Sequence, residues 1–165
     1  SSRMKTYSIE ERERVEKIIQ SEKICFVGFS DKDGIPYVLP MNYGYEDDTI
    51  YLHSGPGGKA VRILEHNPNV CITFYTQPKL IWQHPDVACS YRMQSESVVC
   101  NGIVEFVEEF SEKERILNII MRQYIDKDFK YSEPAVNNVK IWKVTLDSVT
   151  AKKFGVRPTR ALFNR

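Results

Sequence analysis

The chain has 165 residues, 42% of them apolar and 27% charged, a balance that supports one packed domain and excludes a disordered or fibrous chain. Its 23 basic and 22 acidic residues leave a net charge of +1, so there is no overall field to draw in nucleic acid or an anionic membrane. The apolar runs, such as residues 70–75 and 141–146, fall far short of the roughly 20 residues of a membrane-spanning helix.

Ser1–Arg3, ahead of Met4, reads as the remnant of an expression tag, residues 1–8 read as a flexible start, and the charged stretch that follows has no apolar signal core. Ser8 and Glu11 have capping-box spacing, and Val15, Ile18 and Ile19 recur at helical intervals, which predicts a first helix over 9–21. Residues 24–30 and 35–45 are extended in character around the turn dipeptide Asp33-Gly34, a hairpin pattern. Glu46-Asp47-Asp48 supplies a second turn, residues 49–53 a third strand, and Ser54-Gly55-Pro56-Gly57-Gly58 a loop too rich in glycine to be an element. A short helix with Ala60, Val61 and Leu64 on its apolar face follows, stopped by Asn67-Pro68.

Residues 70–75 form a fourth strand, 77–86 a loop with two prolines, and 89–107 one long bent strand or two in series. Ser111 and Glu114 make another capping box before Ile116, Leu117, Ile120 and Tyr124, and residues 140–149 alternate as a closing strand before a tail from 156 onward. Six or so strands and three short helices argue for a single mainly β domain, an antiparallel barrel decorated by helices, because closure hides strand edges. Repeats, linkers and low-complexity tracts are missing from the sequence.

The four cysteines, Cys25, Cys71, Cys89 and Cys100, stand singly, which fits reduced thiols in a cytoplasmic protein. With only His53, His66 and His84 besides, they make no ligand set on one hairpin, so no metal site is expected. Neither a G-x-S-x-G elbow nor a cysteine with a histidine partner is present, which argues against covalent hydrolysis.

The Ser54–Gly58 loop opening a helix at Lys59 suits a phosphate: unpaired amides, close approach through glycine, and a full positive charge. A solvated turn that merely starts a helix fits the segment as well, and the spacing is neither that of a P-loop nor of a dinucleotide fingerprint. His53, at a strand end beside the loop, has the chemistry to assist a substrate or to be structural. Ser95 and Ser97 alternate onto one face of their strand, either as a solvent-facing edge or as ligand contacts.

Taken together, P-x-x-x-P-M-N-Y-G-Y from Pro36, Y-L-H-S with Gly-Gly-Lys behind it, and S-V-V-x-x-G-x-V-E from Ser97 resemble the pyridoxamine 5'-phosphate oxidase-like split barrels. Within them the chain is similar to the nitroimidazole-reductase (Nim) related group, over about residues 16–155. The resemblance implies a six-stranded antiparallel split barrel of Greek-key type, working as a homodimer with one FMN at each of two interface sites. It implies that His53, Ser54, Gly57, Gly58 and Lys59 meet the flavin phosphate and that Val38, Leu39, Pro40, Met41 and Asn42 seat the ring, with Ser97 and less directly Ser95 as polar contacts. It further implies reduction of small electrophiles such as nitroaromatics, with His53 as the catalytic candidate. Two readings remain beside it: a haem-binding or haem-handling protein with a histidine ligand, and a flavin-binding dimer without catalysis. The chain departs from vitamin-B6 oxidases at Gly58, Tyr37 and Asn42, where they carry basic residues, and at Phe154-Gly155-Val156-Arg157-Pro158, where they carry an arginine-histidine motif. Pyridoxamine-phosphate oxidation is therefore disfavoured.

Overall fold

A computed structural model describes residues 5–156. In chain order it runs β1 (Lys5–Ser8), α1 (Arg12–Ser21), β2 (Cys25–Ser30), β3 (Pro36–Met41), β4 (Gly44–Glu46), β5 (Thr49–Ser54), α2 (Lys59–His66), β6 (Asn69–Tyr75) and β7 (Lys79–Ile81). After a short 3-10 turn at Ala88–Ser90 come β8 (Arg92–Val107), α3 (Phe110–Arg122), α4 (Glu133–Asn137) and β9 (Lys140–Val156). The strand order is β3-β2-β6-β8-β9-β5-β4, with β1 added on β9 and β7 on β8. The fold is of the mainly β split-barrel class that the sequence predicts, with nine strands in place of six or so and four helices in place of three among the described residues; the closure expected to hide the strand edges does not occur, since the strand order ends at β3 and β4.

Each discrepancy has a physical cause. β1, which lies in the segment read as a flexible start, and β7 are short and hold only through pairing, β1 with the far end of the described chain (Lys5 opposite Val156) and β7 with the next strand (Leu80 opposite Met93). The stretch expected as one strand over 35–45 divides into β3 and β4. The capping box at Ser8 does not form, because Ser8 pairs with Lys152 and Ile9 N–H donates to Ala151 O; α1 starts three residues late, at Arg12. At α3 the cap is Glu109, whose carboxylate accepts from the amides of Ser111 at 3.3 Å and Glu112 at 2.8 Å, so the helix begins one residue before Ser111. β8 opens at Arg92 because Cys89 lies in the 3-10 turn, and β9 continues past Val149 to Val156, where the tail was expected to begin. Residues 157–165 lie outside the described residues.

The chain clusters into two compact units, each with its own packing. One comprises residues 5–22, 74–98 and 150–156 of the described chain. There α1 buries Ile18 and Ile19, Arg14 pairs with Glu96, and the main-chain oxygen of Glu96 accepts from Thr76 N at 2.9 Å. Gly155, at φ +69°, passes so close to Met93 O that a Cβ would lie 1.9 Å from it.

The other unit, residues 23–73 and 99–149, holds the elements of the candidate site. The β2–β3 turn is built by Asp31, whose carboxylate accepts from Asp33 N and Ile35 N, with Gly34 at φ +80°. The β4–β5 turn places both Asp47 and Asp48 at positive φ, the geometry that matches strand twist in a two-residue hairpin. Val27, Ile50, Leu52, Ile72, Val144 and Trp142 are fully buried, and a second cluster joins Tyr51, Ile141 and the α3 residues Ile116, Ile119 and Ile120.

Candidate functional site

The loop 54–58 does what its glycines predict. Gly58 takes φ +114°, and at Gly55, Gly57 and Gly58 nothing lies within 4 Å of where a Cβ would sit. Exposed bare backbone, open on its Cβ side, therefore leads into α2. Gly58 O accepts the first helical bond from Arg62 N at 3.1 Å, and Gly58, having no side chain, cannot cap the amides of the first turn.

The amine of Lys59 lies 4.4 Å from the centroid of the Tyr37 ring. That places a cation on an aromatic face instead of on a carboxylate, an attraction of about 0.5–2 kcal/mol that leaves the amine's donors available. Tyr37 in turn meets Phe29 at 5.9 Å between centroids, and Phe29 meets the fully buried Trp142 edge-on at 5.8 Å. Trp142 closes the chain of contacts, since its indole N–H donates to Ser54 Oγ at 3.1 Å and Ser54 Oγ donates to Gly55 O at 2.9 Å. One end of the glycine loop is thus anchored on Trp142 and the other carries Lys59 on Tyr37, so the two ends rest on one aromatic row.

Alternation along β5 separates His53 from Ser54. Ser54 shares a face with Leu52, while His53, opposite Ile141, shares one with Tyr51. His53 is exposed by surface area, yet the protein atoms around it still desolvate the ring and lower its pKa below the ordinary histidine value. It is held in the neutral form near neutral pH, able to accept or to donate one hydrogen bond.

β3 is an edge strand on which no residue is buried: Pro36, Val38 and Pro40 are exposed and Tyr37, Leu39 and Met41 half-buried. Asn42, just beyond it, is already engaged, its amide donating to Tyr124 Oη at 3.1 Å and Lys23 O at 3.4 Å. Met41 O accepts the Cys25 thiol at 3.6 Å. Ser95 and Ser97 belong to the other unit and are buried, at 6% and 8% exposure, so they are not a solvent-facing edge. His66 lies exposed at the end of α2 and His84 is exposed in the loop after β7. All four cysteines are free.

Tyr37, Phe29 and Trp142 are the site residues that sequence reasoning misses. Trp142 lies 88 residues from Ser54, and nothing in the local pattern announces the pair. Tyr37 does carry a signal, since it stands where a basic residue is expected in a phosphate site and instead supports the lysine.

The profile of the pyridoxamine 5'-phosphate oxidase family matches residues 11–153. No curated protein sequence matches the chain. Among solved structures, a proposed 5-nitroimidazole antibiotic resistance protein from Bacteroides thetaiotaomicron is 53% identical, with 95% of this chain and 93% of that chain covered and a TM-score of 0.85. An FAD- and haem-binding protein from Mycobacterium smegmatis is 14% identical over 92% of this chain and 75% of its own, with a TM-score of 0.80. A flavocytochrome from Azotobacter vinelandii is 18% identical over 95% and 74%, with a TM-score of 0.77. At those identities the last two show the shared fold alone.

Proposed function

Because this chain belongs to the pyridoxamine 5'-phosphate oxidase family, in its group related to nitroimidazole resistance, we propose that it binds FMN and reduces small electrophiles such as nitroaromatics. The observation that carries the proposal is the Lys59 amine resting 4.4 Å from the Tyr37 centroid beside an open loop of glycine backbone. A dianionic phosphate can approach that loop: the Cβ side of its glycines is open, the first-turn amides of α2 turn their dipole toward it, and among the described residues the Lys59 amine makes no ion pair.

The flavin, when bound, supplies the electron transfer. The chain's own residues then hold and orient. Lys59 and the Ser54–Gly58 backbone take the phosphate, and Val38–Asn42 offers the free backbone edge of an outermost strand to the flat ring. His53 provides a neutral imidazole at the strand end to hydrogen-bond the substrate and receive or return a proton. Ser97 and Ser95 enter the proposal as flavin contacts on the family resemblance.

The outer face of β3 and β2 supports a homodimer, for Val38 is 59% and Phe26 46% exposed. Such a row of large apolar groups is characteristic of an association surface. Four free thiols fit a cytoplasmic setting. One protein of the same fold is named for FAD and haem and another as a flavocytochrome, and an absorbance spectrum of the purified chain separates the two ligands: flavin bands favour the proposal, a Soret band the haem alternative. The sharper test is Lys59→Ala. Losing one charge-assisted contact of about 1.5–3 kcal/mol weakens FMN binding roughly 10- to 150-fold. Unchanged FMN retention in that variant sinks the site.

A further inference from the structure

Beside the glycine loop, a cavity of about 320 Å³ lies between the β2–β3 turn and one face of α2. It is lined by Asp31, Lys32 and Asp33 from the turn and by Lys59, Arg62, Ile63 and His66 from the helix. The helix residues recur at intervals of three, one and three, which places them on a single face. The two walls are fastened together, because Asn67 Nδ2 at the end of α2 donates to Ser30 O at 3.0 Å. The volume falls at the lower end of small-ligand pockets, about 300–1,000 Å³.

The lining combines three formal cations, a histidine and two carboxylates. Asp31 is committed, its Oδ1 accepting both Asp33 N and Ile35 N within the turn. The Lys32 amine, the Arg62 guanidinium and the Asp33 carboxylate, by contrast, make no ion pair or hydrogen bond among the described residues, although all line one cavity. Basic groups alone would suit any anion. A free carboxylate among them suits a ligand that brings hydroxyl donors as well as negative charge, and a ribose attached to a phosphate is such a ligand.

We propose that this cavity is a nucleoside-phosphate subsite: Arg62 and Lys32 take a phosphate, Asp33 accepts from the ribose hydroxyls, and Lys59 is shared with the flavin phosphate next to it. In the sharing of Lys59 the proposal rests on the flavin reading; in its other residues it does not. The ligand is either the adenylate end of a dinucleotide flavin or a separate nucleotide.

Calorimetric titration of the full chain with ADP, inorganic pyrophosphate, FMN and FAD tests this in the wild type, in the double variant Lys32→Ala/Arg62→Ala, and in Asp33→Asn. All three positions are exposed, and a thermal melt verifies that each variant is folded. ADP binding weakens at least tenfold in the double variant while FMN stays within twofold. Asp33→Asn weakens ADP but tightens pyrophosphate, since it removes a repelling charge along with the ribose acceptor. FAD binding at least tenfold tighter than FMN identifies the tethered adenylate; FAD binding no tighter than FMN, with ADP still binding FMN-saturated protein, identifies a separate nucleotide. The proposal falls if ADP does not bind, if the double variant binds it as well as the wild type, or if Asp33→Asn strengthens ADP and pyrophosphate alike. Failure of FMN to bind while ADP keeps its pattern removes the flavin reading and leaves the subsite standing.

Discussion

The β2–β3 hairpin has two faces of opposite character. On the inner face Cys25, Val27 and Phe29 of β2 are all buried, and Tyr37, Leu39 and Met41 pair with them across the ladder. On the outer face Phe26 stands between Pro40 and Thr73, and Gly28 between Val38 and Cys71; Phe26, Val38, Pro40 and Cys71 are exposed. The difference teaches a division of labour. One face fixes the position of Tyr37 under Lys59, and the other is left apolar and open for something that is not part of this chain's own core.

The largest expected difference between the faces is chemical. Burial pushes the thiols of Cys25 and Cys100 up to about 12, whereas Cys71 lies on the outer face and Cys89 is likewise exposed. A rise from 9.0 to about 12 leaves roughly a thousandfold less thiolate, which is the reactive form. Alkylation under native conditions, followed by mass spectrometry, is expected to mark Cys71 and Cys89 and to spare Cys25 and Cys100 until the chain is unfolded. Native labelling of Cys25 at a rate like that of Cys71 would mean that the inner face is not closed. The pH dependence has a definite sign: above 9.0 the unfolded thiols ionise and the folded ones do not, so stability falls as pH rises through that value.

Next in size is the cost of emptying the inner face. Phe29 is 4% exposed and its ring touches both Tyr37 and Trp142. Phe29→Ala is expected to cost about 3–5 kcal/mol in urea unfolding, the range for truncating a buried aromatic. If the flavin reading holds, FMN affinity drops in the same variant, because Tyr37 loses its support. A loss under about 1 kcal/mol would show that Tyr37 is positioned by something other than this row.

How much of this was legible in the sequence follows from distance along the chain. The turn at Asp33-Gly34, the Ser54–Gly58 loop and the start of α2 are written in adjacent residues, so they could be read with their neighbours in hand. The same holds for Lys59 as a phosphate candidate. β1 and β7, of four and three residues, carry too little pattern to be seen, and β1 exists because a strand far away in sequence pairs with it. The capping boxes failed for a related reason: Ser8 has the right spacing but is taken by β9, and Glu109 outcompetes Ser111 as cap. At the site, Ser54 was visible while its partner Trp142 was not, and Asn42 looked free for a ligand because its bonds to Lys23 and Tyr124 cannot be read locally.

The smallest expected effect on stability is also the one that decides what the outer face is for. Val38 is 59% exposed on an edge strand, and a lysine is among the residues such edges carry most readily. Val38→Lys is therefore expected to change the folding free energy of the isolated chain by no more than about 0.5 kcal/mol. If this face joins two copies, the same substitution sets two like charges into a desolvated apolar contact, and burying an unpaired ammonium is costly. Sedimentation equilibrium should then show the association weakened at least tenfold, while circular dichroism stays as in the wild type and the unfolding midpoint is unchanged at a concentration where both proteins are monomeric. A dimer untouched by Val38→Lys would place the interface elsewhere, and the exposed row from Pro40 to Cys71 would need a different occupant. A monomer in both proteins would remove the dimer proposal while leaving the inner face, with Lys59 on Tyr37, unchanged.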